Sequence, residues 1–140
     1  MSSQKEYTDG YYRLKSPTHS KVMKACPGYE KYKVRFEDES EAFDQVWYVT
    51  FDDKSGVVFK SCYGRYLCSE GNPPRRYSVI ADRENPKDWE HWVMEKVCGD
   101  AFALKSWKGM YLTVNEKGEP NSDKESITSW EEFTLEKVNI

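Results

Sequence analysis

Val57-Val58-Phe59-Lys60-Ser61-Cys62-Tyr63-Gly64-Arg65-Tyr66-Leu67 returns 45 residues later as Phe102-Ala103-Leu104-Lys105-Ser106-Trp107-Lys108-Gly109-Met110-Tyr111-Leu112. In both copies an apolar-x-apolar-Lys-Ser run leads across a short turn into Gly-x-Tyr-Leu. Tyr12-Arg13-Leu14-Lys15-Ser16, 45 residues upstream, opens a third copy. Its second half degenerates to Ser20-Lys21-Val22-Met23, displaced by one residue. Val34 maps onto Val79, and Trp47 and Val49 map onto Trp92 and Met94. In the last unit, four residues shorter, Phe133 and Leu135 take those places. A fixed period of this length marks a chain built from one repeated supersecondary unit.

Each unit reads as four short strands. Alternation with period two puts Phe102 and Leu104 on one face, and Phe133 and Leu135 likewise. Turn chemistry separates the strands at Asp53-Lys54-Ser55-Gly56, Glu70-Gly71-Asn72-Pro73-Pro74, Cys98-Gly99-Asp100 and Glu116-Lys117-Gly118. No segment carries a capped apolar stripe of helical period. The third strand of the last unit is expected near Ser126–Thr128. Three units of four strands make twelve, an all-β chain. A propeller generally needs four or more such units. Three can close as a six-stranded barrel capped by three hairpins, the β-trefoil, and closure removes exposed strand edges. Nothing before Tyr11 resembles the aromatic-x-apolar strand that precedes the later units, whereas Trp130-Glu131-Glu132-Phe133-Thr134-Leu135 does. The tail is therefore expected to return to the first strand. Residues 1–10 are read as an N-terminal extension, and residues 11–140 as one domain with units 11–54, 55–99 and 100–140.

Composition agrees with such a domain and narrows its function. With 140 residues, 38% of them hydrophobic and 15% aromatic, the chain can bury a core without staples. Mean hydropathy is −0.88, and no apolar run approaches the roughly 18 residues of a membrane helix. The opening MSSQKEYTDG has no apolar leader segment, so a cytoplasmic chain is expected. Cys26, Cys62, Cys68 and Cys98 show no CxxC, and His19 and His91 stand far apart, so neither metal nor cofactor is expected. Reduced thiols follow from that compartment, although Cys62 and Cys68 flank a turn and could meet across a hairpin. The net charge of −3 argues against nucleic-acid binding. Charge nevertheless alternates in blocks: eight Lys/Arg against three acids in residues 1–35, one against seven in 36–55, and five against two in 56–83. One reading has the fold gather the first and third blocks onto a single basic face.

The repeated apolar-x-apolar-Lys-Ser-x-x-Gly-x-Tyr-Leu, followed by Trp-x-x-aromatic-x-apolar, resembles the fascin family of β-trefoils over residues 11–138. That resemblance implies the trefoil fold and a non-catalytic binding role. Fascin-like trefoils include actin-bundling proteins, single-domain actin-binding relatives and amaranthin-type plant lectins. Gly109–Glu119 is also similar to a fibroblast-growth-factor strand, which we read as shared trefoil chemistry. Asp9-Gly10-Tyr11-Tyr12-Arg13-Leu14 is similar to fungal cysteine-protease inhibitors of this fold, in which a projecting loop such as Glu70–Arg76 would enter an enzyme cleft. Fold alone does not choose among these.

Candidate residues follow from position. Gly64 and Gly109 are expected at turns needing positive φ, with Leu67 and Leu112 in the core. Trp47, Trp92 and Phe133 are expected in the core as well, and Trp89 and Trp130 over the barrel mouth. For an acidic protein partner such as actin, the candidates are Lys15, Lys21, Lys24, Lys60, Arg65, Arg75 and Arg76, with Lys31, Lys33 and Arg35 beside them. For a glycan, they are Tyr63, Tyr66, Trp107, Lys108 and Tyr111, whose rings would stack on a pyranose. The first unit has Pro17-Thr18-His19 where the others carry Tyr63 or Trp107. No GxSxG, phosphate loop, HExxH or Cys–His signature supports catalysis, and the expected state is monomer or homodimer.

Overall fold

Alternating apolar residues and Gly-containing turns produce twelve strands in the computed structural model, which describes residues 7–52, 56–71 and 77–139. In chain order these are β1 (Gly10–Ser16), β2 (Lys21–Ala25), β3 (Val34–Glu37), β4 (Trp47–Phe51), β5 (Gly56–Lys60) and β6 (Tyr66–Ser69). They continue with β7 (Val79–Arg83), β8 (Trp92–Cys98), β9 (Ala101–Lys105), β10 (Tyr111–Val114), β11 (Pro120–Lys124) and β12 (Thr134–Lys137). Strands β1, β4, β5, β8 and β9 pair antiparallel in succession. A Phe102–Phe133 bridge joins β9 to the segment entering β12, and β12 pairs with β1, Leu14 opposite Leu135. Six strands thus close a ring, and the hairpins β2–β3, β6–β7 and β10–β11 cap it. The fold is the β-trefoil, closed by the tail as the repeat requires.

The core obeys the repeat. Trp47, Trp92 and Phe133 are fully buried, and each lies opposite a buried residue of the neighbouring strand: Tyr12, Val57 and Phe102. Leu14, Phe59 and Leu104 form a second buried set, and Met23, Leu67 and Leu112 a third. The Trp47 indole N–H donates to the Met23 carbonyl at 3.1 Å, and that of Trp92 to Leu67 at 3.3 Å. Met23 and Leu67 therefore hold equivalent places, one residue out of sequence phase. Large aromatic area is buried with each indole donor satisfied.

A ring of three hydrogen bonds ties the caps together. Phe36 N–H donates to the Gly118 carbonyl (2.8 Å), Ala81 N–H to Tyr32 (3.0 Å) and Ser122 N–H to Tyr77 (2.9 Å). The acceptors share a left-handed backbone: Tyr32 at φ 56, Tyr77 at φ 73 and Gly118 at φ 81. This ring corrects one expectation. The third strand of the last unit is β11, and Ser126–Thr128 lie in the loop beyond it. The missing four residues fall in the β10–β11 turn, since Phe36 to Ala81 is 45 residues and Ala81 to Ser122 is 41. Ser122 stands where Phe36 and Ala81 stand. Its hydroxyl donates to the Tyr77 carbonyl (2.8 Å) and meets Ser69 Oγ at 2.7 Å, so a satisfied polar group replaces the apolar signal.

The residues just before β1 also contact the barrel. Tyr7 stacks on Phe51 with ring centroids 5.4 Å apart, Tyr12 Oη donates to the Thr8 carbonyl, and Asp9 accepts the Phe51 N–H. Residues 7–9 thus pack on the barrel ahead of β1, which begins at Gly10. Of the proposed turns, Asp53-Lys54-Ser55 and Asn72-Pro73-Pro74 lie outside the described residues. Gly64 and Gly109 do take positive φ, +77 and +81.

Two glycine substitutions separate local strain from cap closure. A Cβ at Gly64 meets nothing within 4 Å, whereas one at Gly118 would overlap the Phe36 carbonyl oxygen that borders the ring. In urea unfolding Gly64→Ala is expected to cost about 1–2 kcal/mol, the left-handed strain alone. Gly118→Ala is expected to cost clearly more, because the β3 backbone must also move. Equal losses would contradict a hairpin ring that depends on this close approach.

Candidate binding surfaces

The recurring lysines end up in different electrostatic states. Lys15 Nζ lies 3.0 Å from Glu39 and 3.1 Å from Glu136, and Lys105 Nζ lies 3.5 Å from Glu95. Lys60 has no ion-pair partner among the described residues; its ammonium stands 5.8 Å from the centre of the Tyr66 ring. Lys21 pairs with Asp38 (3.5 Å), and Lys24 with Glu37 (3.3 Å) and Asp44 (3.9 Å). Arg65 donates to the Asp82 carbonyl (2.9 Å), reaches Glu84 at 3.4 Å and lies over the Tyr32 ring at 4.6 Å. Arg75 and Arg76 lie outside the described residues.

The acidic block therefore folds onto the basic one. β2 carries Lys21 and Lys24, β3 and the loop after it carry Glu37, Asp38 and Glu39, and antiparallel pairing sets opposite charges side by side. The bare basic face expected from the first and third blocks is largely neutralised. Burial pulls the Lys15 ammonium down, yet hydrogen bonds to Glu39 and Glu136 hold it above the usual lysine range. Of the exposed cations without an ion pair among the described residues, Lys60, Lys87, Lys96, Lys124 and Lys137 are spread over other strands and loops, whereas Lys33 and Arg35, with Lys31 two residues before Lys33, share one segment and face Lys117 across a basin of about 660 Å³ whose rim also carries Glu37, Asp38 and Glu119. Lys33 and Arg35 alternate with buried Val34 and Phe36, so both point outward.

The loop aromatics are equally divided. Tyr63 and Trp107 are each 41% exposed. Trp107 stacks on Trp89 at 5.2 Å and 8°, and its indole N–H donates to the Ser69 carbonyl (3.1 Å). Lys108 Nζ lies 4.3 Å from the Tyr77 ring centre and 5.3 Å from that of Trp107. A Cβ on Gly71 would fall 2.7 Å from Trp107 and 2.8 Å from Trp89, so the stack needs glycine there. Trp130 is half-buried and meets His19 edge-on. Tyr66 is half-buried too, but Tyr111, a candidate for stacking on a sugar, is buried. Its hydroxyl donates to Glu95 Oε1 at 2.7 Å, and that bond, with burial second, raises the Tyr111 pKa. Among the described residues no ring contact joins Tyr63 to Trp107.

A different aromatic group escaped the sequence reading. Tyr11, Tyr48 and Phe43 are 44%, 38% and 69% exposed, and the two tyrosines meet edge to face at 5.0 Å. With Lys60 and Cys62 they line an open groove of about 720 Å³. The signal was present: Tyr11 precedes buried Tyr12 and Tyr48 follows buried Trp47, so period-two alternation turns both outward.

Other reactive groups have structural partners. All four cysteines are free thiols, Cys62 exposed and Cys68 buried, so the hairpin pair does not form a bridge. Gln45, Glu90 and Glu131 are buried in three equivalent 3-10 turns, where they accept backbone N–H groups of Ser40 (2.8 Å), Lys87 (2.6 Å) and Thr128 (2.6 Å). Among the described residues no cluster of His, Cys, Asp and Glu is arranged to hold a metal, and no helix is long and apolar enough to cross a membrane. Of the Glu70–Arg76 loop, residues 72–76 lie outside the described residues.

Burial, and next a hydrogen bond to Glu90, push the Cys68 thiol far above its usual range. A folded-state pKa above the unfolded one means that this stabilisation is complete below about pH 8.5 and is lost as pH rises further. Folding stability is therefore expected to fall on the alkaline side, with the onset later in Cys68→Ala. Identical alkaline profiles for the two proteins would contradict this role.

The fascin domain profile matches residues 21–135, and the chain belongs to the fascin domain family. No curated protein sequence matches it. Among solved structures it is similar to the designed three-fold symmetric protein ThreeFoil, with 18% identity, TM-score 0.79, and coverage of 93% of this chain and 100% of that one. It is likewise similar to SeviL, solved bound to asialo-GM1 saccharide, at 17% identity and TM-score 0.78, covering 94% of this chain and 100% of that one. A third is the BEL β-trefoil, at 14% identity and TM-score 0.79, covering 97% of this chain and 98% of that one. Likeness at these identities establishes the fold.

Proposed function

We propose that the chain is a non-catalytic binding module of the fascin type that takes an acidic protein partner, actin filaments first, on the face carrying Lys31, Lys33, Arg35 and Lys117. What supports this reading is the division of the cations. Lys15, Lys21 and Lys24 are matched by the chain's own acids, while this group is exposed and without an ion pair among the described residues. Unmatched charge at one place steers and orients an oppositely charged surface. Matched pairs at the surface contribute little to either.

Co-sedimentation with filamentous actin tests the reading. Pelleting is expected at low salt and is expected to weaken as ionic strength shortens the screening length. The Lys33→Glu/Arg35→Glu double variant should weaken it at least about tenfold, a charge-reversal effect on association. Lys15→Ala should leave it near wild type. No pelleting at low salt, or equal loss in both variants, would reject the proposal.

A further inference from the structure

The three junctions between units carry an equivalent row of directly opposed residues, and one row differs from the others in its exposure. At the first junction Tyr11 lies opposite Tyr48, Tyr48 opposite Lys60, and Lys60 opposite Tyr66. At the second the row is Gly56, Val93, Lys105 and Tyr111. At the third, Thr134 faces Lys15 and Lys15 faces Val22. Directly opposed residues in an antiparallel sheet share a face.

Two residues beyond each lysine's partner stands the group that decides its charge. Beyond Val93 this is Glu95, which lies 3.5 Å from Lys105 and accepts the Tyr111 hydroxyl at 2.7 Å. Beyond Thr134 it is Glu136, 3.1 Å from Lys15. Beyond Tyr48 it is Thr50, which is exposed and carries no charge. Among the described residues Lys60 and Tyr66 thus repeat the Lys105–Tyr111 pair without its carboxylate, and the same junction adds Tyr11, Tyr48 and the exposed Phe43. Asp44, the acid felt by Cys62 at this groove, is paired with Lys24.

We propose that this groove binds an acidic sugar, whose carboxylate takes between Lys60 and Tyr66 the place that Glu95 takes between Lys105 and Tyr111, and whose pyranose ring lies on Tyr48 and Tyr11. Neighbouring strands are about 4.8 Å apart, so the row from Lys60 to Tyr11 spans roughly 10 Å, the reach of a disaccharide. Aromatic faces receive the C–H face of a pyranose, while the tyrosine hydroxyls reach its polar edge. The barrel strands here are paired on both sides, so an acidic peptide would find no edge on which to add a strand. The site is independent of the cationic face proposed for the protein partner.

The test titrates the whole chain with a glucuronate-containing hyaluronan tetrasaccharide and with 3′-sialyllactose, against neutral lactose and chitotetraose, by saturation-transfer NMR and calorimetry. At least one acidic sugar should bind, with the neutral sugars about tenfold weaker or more, the effect of one charge-assisted contact. Thr50→Glu, which supplies the missing carboxylate from β4 itself, and Lys60→Met should each weaken acidic-sugar binding about tenfold or more. Lys33→Glu/Arg35→Glu should leave it unchanged, which keeps this result separate from filament binding. Since Thr50 and Lys60 are exposed, thermal unfolding should be near wild type in both variants; if Thr50→Glu fails to fold, Lys60→Met decides. Absence of binding at about 1 mM, equal binding of neutral sugars, or undiminished binding by the variants would overturn the proposal. Binding of hexaglutamate with no acidic sugar bound would overturn it in favour of an acidic peptide.

Discussion

The pairing of β12 with β1 is the contact on which the molecule depends. It joins the two ends of the chain, with Leu14 opposite Leu135 and the Phe102–Phe133 bridge beside it. Without it the barrel would be an open sheet with two unpaired edges, a liability that closure removes. The pairing also costs the most chain entropy, because almost the whole sequence must be ordered before its ends can meet. Burial of Phe133 against Phe36, at 5.8 Å between ring centres, links the last strand to the first hairpin and helps offset that cost.

Three-fold repetition then explains which residues are constrained. Wherever the repeat serves closure, the three copies keep equivalent chemistry: Trp47, Trp92 and Phe133 inside, and Gln45, Glu90 and Glu131 accepting backbone N–H groups in equivalent turns. Buried carboxylates of this kind are tolerated because hydrogen bonds satisfy them. Outside the core the copies diverge. Among the described residues a carboxylate neutralises Lys15 and Lys105 but not Lys60, and a Trp89–Trp107 stack forms in one place only. Divergence on an otherwise symmetric scaffold is where ligand chemistry can be added at little cost to folding.

Much of the fold was legible because its rules are periodic. The step of 45 residues, with its one-residue slip in the first unit and its four-residue shortening in the last, phased every strand but β11, and the return of the tail to the first strand followed from the lack of an aromatic-x-apolar strand before Tyr11. β11 was misplaced for a definite reason: Ser122 occupies a core position through its hydroxyl, so no apolar residue marked it. The binding surfaces were less legible. Lys15, Lys21 and Lys24 looked like free cations in the linear sequence, and only the β2–β3 pairing and the return of β12 bring Asp38, Glu37 and Glu136 to them. Trp107 looked like an open platform, and its partner Trp89 comes from another unit. Tyr11, Tyr48 and Lys60 belong to three strands that become neighbours only when the barrel forms.

Amide hydrogen exchange measured residue by residue tests barrel closure most directly. The amides of Arg13, Phe102, Phe133, Thr134 and Glu136, which face across the closing ladders, should exchange only through global opening, at the same slow rate as those of Thr50 and Val58 between β4 and β5. Exchange of the Phe133–Lys137 segment within minutes, while β4 and β5 stay protected, would show a barrel that stands without its last strand and would contradict the account.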